Sequence, residues 1–146
     1  MTRHLRAGRP PLCYEDGRQL RDYVNVYDVA RANVLVMETP AANGQIYNVG
    51  GGRGITVRDF AQLMIKEAGV DVEPQIPGMF RVGDTRHTVS SLERIRALGW
   101  EPTAGVEDNV RQYLGWFDEQ APPTASLEEA ERVMVEQGVV RTVALT

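Results

Sequence analysis

The chain is short of cysteine, histidine and lysine, and each shortage closes off a class of chemistry. Cys13 is the only cysteine in 146 residues, so neither an internal disulfide framework nor a multi-cysteine metal site can form. That usage fits a reducing compartment. His4 and His87 stand apart, with no cysteine or second histidine at ligand spacing, which argues against a metal centre. There is no Gly-x-Ser-x-Gly elbow, and Cys13 has no evident activating partner. No apolar run approaches the roughly 20 residues that span a bilayer, and no apolar signal core opens the chain. A soluble, cytoplasmic protein is the expectation. Lys66 is the only lysine, and none of Tyr14, Tyr23, Tyr27, Tyr47 and Tyr113 has a lysine four residues on.

What is present suits one ordinary domain. An apolar share of 42% is enough to build a core. A net charge of −4 argues against general affinity for nucleic acid or anionic membrane. The cluster Arg3, His4, Arg6 and Arg9 reads as the solvated face of a first helix, stopped by Gly8 and Pro10-Pro11.

Periodicity then alternates between helix and strand. Leu12 to Tyr14 is a short extended run, Glu15-Asp16-Gly17 a turn, and Arg21 to Val26 an alternating strand. Val29, Ala30, Val34 and Met37 recur at helical spacing, closed by Pro40. Gln45 to Val49 is a compact strand candidate. Val57, Phe60, Ala61, Met64, Ile65 and Ala68 give the clearest helical stripe, with Thr56 and Asp59 placed as a capping box. Leu92 to Leu98 predicts a short helix, and Val106, Val110, Tyr113, Leu114 and Phe117 a longer one. Ala121-Pro122-Pro123 is a linker, and Ser126 to Gln137 a last helix opened by Ser-x-x-Glu. Two or three strands are few for an α/β layer, so the chain reads as part of a sheet protein.

Three places could meet a ligand. The run Gly50-Gly51-Gly52-Arg53-Gly54 follows a strand candidate and precedes a helix, yet it fails G-x-G-x-x-G because Ile55 stands where the last glycine belongs. It reads as a flexible turn. Arg21 and Arg81 carry guanidinium forks that would suit a diphosphate if they converged, and Asp84 could accept from ribose hydroxyls. On spacing alone they are equally exposed arginines and a Gly-Asp turn.

The run Asp16-Gly17-Arg18-Gln19-Leu20-Arg21-Asp22-Tyr23-Val24-Asn25-Val26-Tyr27-Asp28-Val29-Ala30 resembles the DG-x-x-x-RD-[FY]-V-x-V-x-D-V-A segment of extended short-chain dehydrogenases/reductases, the NAD-dependent nucleotide-sugar epimerases and dehydratases. Tyr47-Asn48-Val49-Gly50-Gly51-Gly52 is similar to their YNVGSG turn, Arg81-Val82-Gly83-Asp84 to their R-x-G-D loop, and Leu98-Gly99-Trp100-Glu101-Pro102 to their LGW-x-P. The order is the same, over about residues 8 to 120.

The resemblance implies an α/β fold: the C-terminal part of a Rossmann-like enzyme, mainly its small substrate-binding domain with a sheet strand and flanking helices. Residues 1–120 would bind the nucleotide-sugar, 121–125 would be a linker, and 126–146 a helical tail. Arg21 and Arg81 would clamp a UDP- or dTDP-sugar diphosphate, Asp84 would bind ribose, Leu12 and Tyr14 would border the base, and Tyr23 would line the cleft. In such enzymes the NAD loop and the Tyr-x-x-x-Lys pair precede this segment. NAD would therefore belong to the intact enzyme, a separate dinucleotide-binding half would be a partner, and the chain alone would be inactive. One departure is Val89-Ser90-Ser91, where the family has an A-D-x-S-K-like run. The alternative is a non-catalytic module, or a decayed fragment, that pairs through an open sheet edge.

Overall fold

The computed structural model describes residues 1–121 and 126–142. Its elements run α1 (Thr2–Arg6), β1 (Leu20–Arg21), α2 (Val26–Glu38), β2 (Ile55–Thr56), α3 (Val57–Ala68), β3 (Met79–Arg81), α4 (Glu93–Arg96), α5 (Val106–Asp118), α6 (Leu127–Glu136) and β4 (Val140–Thr142). The two sheets are small antiparallel ribbons, β1 with β2 and β3 with β4, in registers Arg21 to Ile55 and Phe80 to Arg141. Single parallel bridges join Leu12 to Gln75 and Leu20 to His87. No helix among the described residues is long and apolar enough to cross a membrane.

The helix α3 forms where its stripe predicts. The Thr56 hydroxyl oxygen accepts from the Asp59 N–H at 3.0 Å and donates to the Asp59 carboxylate at 2.6 Å, while Gly69 closes the helix at φ +68°. Ala61, Met64 and Ile65 are buried on its inner face. Met64 and Ile65 join Leu5, Val110 and Leu114 in the larger core, which ties α1, α3 and α5 together. A second cluster, Ala32, Leu92, Ile95 and Trp100, lies under α2 and α4. Cys13 is wholly buried, and burial pushes its thiol up, away from the reactive thiolate. Ser126 caps α6 by accepting from the Glu129 N–H. Residues 122–125 of the expected linker lie outside the described residues.

Four expectations need correction. The strand expected over Arg21–Val26 ends at Arg21, because the Asn25 side chain accepts from the Tyr27 N–H and starts α2. Gln45–Val49 is not a strand: a ladder needs a partner, and no described segment supplies one. The apolar stripe of α2 faces outward, with Val34 and Met37 exposed, while Asp28 and Ala32 face in. The tail is not wholly helical, since Val140–Thr142 turns back to pair with β3.

Asp28, only 2% exposed, is buried beside Trp100 of the second cluster. Its carboxylate accepts from the Thr103 N–H at 2.9 Å, the Thr103 hydroxyl at 2.7 Å, the Ala104 N–H at 3.0 Å and Arg31 at 2.7 Å. The Trp100 indole N–H donates to the Asp28 carbonyl. Burial raises its pKa, but the bonds from Arg31, Ala104 and Thr103 outweigh burial and hold it at about 2. This depressed carboxyl stabilises the fold fully above the unfolded value near 4, and that stability is lost as pH falls towards about 2. Asp28→Asn is expected to cost about 3 kcal/mol in urea denaturation at neutral pH. It should also flatten the parental decline in stability between about pH 4 and pH 2; an equal slope in both chains would refute the assignment.

Candidate functional site

A cavity of about 910 Å³ opens between α1, α3, α5 and α6, within the size range of small-molecule sites. Four of the residues expected to touch ligand line it: Leu12, Tyr14, Tyr23 and Arg81. The Arg81 guanidinium lies over the Tyr14 ring at 5.7 Å, and its Nη2 approaches the Met134 sulfur at 3.9 Å. Tyr23 stacks on Phe60 with ring centroids 3.8 Å apart and an interplanar angle of 9°. Burial pushes the Tyr23 hydroxyl up to about 12, so it stays protonated at neutral pH and serves as a neutral wall.

Arg21 and Asp84 are not among the cavity's lining residues; they hold each other. Arg21 Nη2 donates to Asp84 Oδ1 at 3.0 Å, and its Nη1 donates to the carbonyls of Leu20 and Arg86 at 2.9 and 3.1 Å. The link to Arg81 is a tight turn: the Asp84 N–H donates to the Arg81 carbonyl at 3.2 Å, with Gly83 at φ +80°. One end of this turn carries Arg81, and the other grips Arg21. Arg86 fastens the following strap by pairing with Glu15 and with Asp16.

Two sets of residues escaped the sequence reading. Asp22 accepts from the Gly51 N–H at 2.7 Å and the Ser90 N–H at 3.0 Å, drawing the glycine turn and the 90 region onto the end of β1. A carboxylate in a half-buried segment between Leu20 and Tyr23-Val24 is the signal that it must be paired. The second set is an amide chain on the cavity wall, Asn25, Asn109 and Gln112. Asn109 and Gln112 stand one helical turn apart, a spacing legible in the sequence.

Residues 1–50 match the NAD dependent epimerase/dehydratase family. The chain is 32% identical to a dTDP-L-rhamnose 4-epimerase of Burkholderia thailandensis over 108 residues, 73% of this chain and 30% of that one. Among solved structures it is similar to the UDP-glucose 4-epimerase of Thermotoga maritima with UDP-glucose, at TM-score 0.73 and 35% identity over 81% of this chain and 37% of that one. The UDP-glucose 4-epimerase of Thermus thermophilus in complex with NAD gives TM-score 0.70 and 31% identity, over 82% and 39%. The chain spans about a third of the length of the curated relatives it matches.

The glycine run does not fit a dinucleotide. The position a Cβ would take on Gly50 is occupied by the Asp22 carboxylate, and Ser90 Cβ lies 2.7 Å from it. On Gly51 a Cβ would meet the Tyr23 carbonyl oxygen at 2.6 Å, and on Gly54 Val89 at 2.9 Å. The protein's own groups fill the space that side chains at these positions would take. These glycines admit close packing; they are not there for flexibility. Gly51→Ala is therefore expected to destabilise the fold by at least about 2 kcal/mol. Gly115→Ala, in the exposed interior of α5 with open space around it, should stabilise it by about 0.5–1 kcal/mol. Thermal melts of the two variants measure both, and a harmless Gly51→Ala would contradict the packing account.

Proposed function

The chain belongs to the NAD-dependent epimerase/dehydratase family, and from that premise we propose that it is the nucleotide-sugar-binding portion of a UDP- or dTDP-hexose 4-epimerase or 4,6-dehydratase. Its role is to grip the nucleotide diphosphate, and it is without activity of its own. The observation that carries the reading is the Arg81–Asp84 turn, whose first residue bears the Arg81 side chain and whose last accepts from the Arg21 guanidinium. A diphosphate bears matched oxygen pairs that suit two such forks. The grip asks Arg21 to exchange the Asp84 carboxylate for phosphate, leaving Asp84 to the ribose hydroxyls.

The residues support a lack of independent activity. Proton removal from a sugar hydroxyl in this family calls for a tyrosine whose pKa is lowered by a nearby lysine, and position 62, four before Lys66, is Gln62. The partner is a segment carrying the dinucleotide loop. Support comes from α2, where Tyr27 and Met37 are 70% and 83% exposed, and from Ile46, 78% exposed in the stretch without a ladder. Soluble proteins rarely leave such a surface uncovered. In this arrangement residues 1–120 hold the ligand and residues 126–142 fasten to them through β4.

Titration calorimetry with UDP-glucose and dTDP-glucose, with a dinucleotide-binding half supplied in trans, tests the reading. Arg81→Ala is expected to weaken binding about 10- to 100-fold, the loss of a charge-assisted contact, and raised salt to narrow the difference. No binding of either sugar nucleotide by the reconstituted parental chain would overturn the assignment.

A further inference from the structure

We infer that Gln112 and Trp116 form a subsite for a ring of the ligand, with Gln112 donating a hydrogen bond and Trp116 offering a stacking face. The inference rests on the reading of the cavity as a nucleotide-sugar site. Its physical basis is the direction of the amide chain. The Asn25 Oδ1 is committed to the Tyr27 N–H at 2.9 Å, as the cap of α2. Its Nδ2 is therefore the group turned towards α5, and it donates to Asn109 Oδ1 at 2.7 Å and to Gln112 Oε1 at 2.8 Å. An amide that spends its oxygen in one direction presents its nitrogen in the other. The helix cap thus fixes Gln112 as a donor towards ligand, while Asn109 Nδ2 is already spent on the Tyr23 carbonyl.

Trp116 follows Gln112 by one helical turn on α5, so both side chains lie on one face, and both line the cavity. The indole is 53% exposed and packs at a tilt against Tyr113, with ring centroids 5.6 Å apart. An exposed aromatic face beside a donor of fixed sense recognises a ring that carries an acceptor oxygen. A pyrimidine base offers its carbonyls, and a hexose its hydroxyl oxygens over an apolar ring face. The shared chemistry is a stacked ring with an acceptor at its edge.

Gln112→Glu is the sharpest probe. A carboxylate still accepts from Asn25, so the cap and α5 stay in place, but it presents an acceptor where the amide presented a donor. Saturation-transfer NMR would be run with UDP-glucose and with two uncharged probes, uridine and methyl glucoside, which are free of repulsion by the added charge. Gln112→Glu is expected to weaken UDP-glucose and one uncharged probe about tenfold, with an unchanged melting temperature. Trp116→Ala should abolish saturation of the same ring. Loss with uridine assigns the base, and loss with methyl glucoside the hexose. If the parental chain binds UDP-glucose and neither variant alters either uncharged probe, the subsite is wrong while the wider reading stands. If the parental chain, reconstituted with the dinucleotide-binding half, binds none of the three, both are overturned.

Discussion

The constraint on which the structure depends is a pair of carboxylates at the ends of one short segment, Asp22 and Asp28. Each collects N–H groups from regions remote in sequence: Asp22 from Gly51 and Ser90, Asp28 from Thr103 and Ala104. The described sheet is too small to organise the chain, with four strands of two or three residues in two ribbons. Side-chain carboxylates do what a broad ladder does elsewhere. A buried carboxylate is tolerable only when its lone pairs are met, so the loops that meet them are held as firmly as a strand neighbour would be. Arg21 is next to Asp22 and Asn25 lies between the two carboxylates, so the same clasp fixes the backbone from which both side chains project.

The helices were legible where a single core decides which face is buried. In α3 the stripe, the cap and the closing glycine all agree, and the structure follows them. For α2 the period announced the helix and left its buried face undecided. Apolar spacing reports that a face wants cover, not what covers it. Here the inner face holds Asp28 and Ala32, while Val34 and Met37 point outward. Gln45–Val49 fails as a strand for a related reason: alternation describes one strand, whereas a ladder requires two. The pairing of β3 with β4 joins residues 79–81 to 140–142, and no local signal in either triplet announces a partner so distant.

The candidate site was legible to a different degree residue by residue. Leu12, Tyr14, Tyr23 and Arg81 meet around one cavity. Arg21 and Asp84 meet each other, a pairing that spacing could not foresee because 63 positions separate them. The glycine run was misread as flexible, since sequence does not show that Asp22, Ser90 and the Tyr23 carbonyl crowd it. The amide chain was legible only as a spacing on α5, without its partner or its sense. Asparagine and glutamine are common on helix surfaces, and only the cap at Asn25 gives these three a direction.

The account turns on whether one diphosphate bridges the two arginines. A crystal structure with UDP-glucose bound, the dinucleotide-binding half present in trans, measures this directly. The account predicts phosphate oxygens within hydrogen-bonding distance of both the Arg21 and Arg81 guanidinium groups, with Asp84 released from Arg21 towards the ribose. A diphosphate held by only one of them, or an Arg21–Asp84 pair left closed with the nucleotide elsewhere, would contradict it.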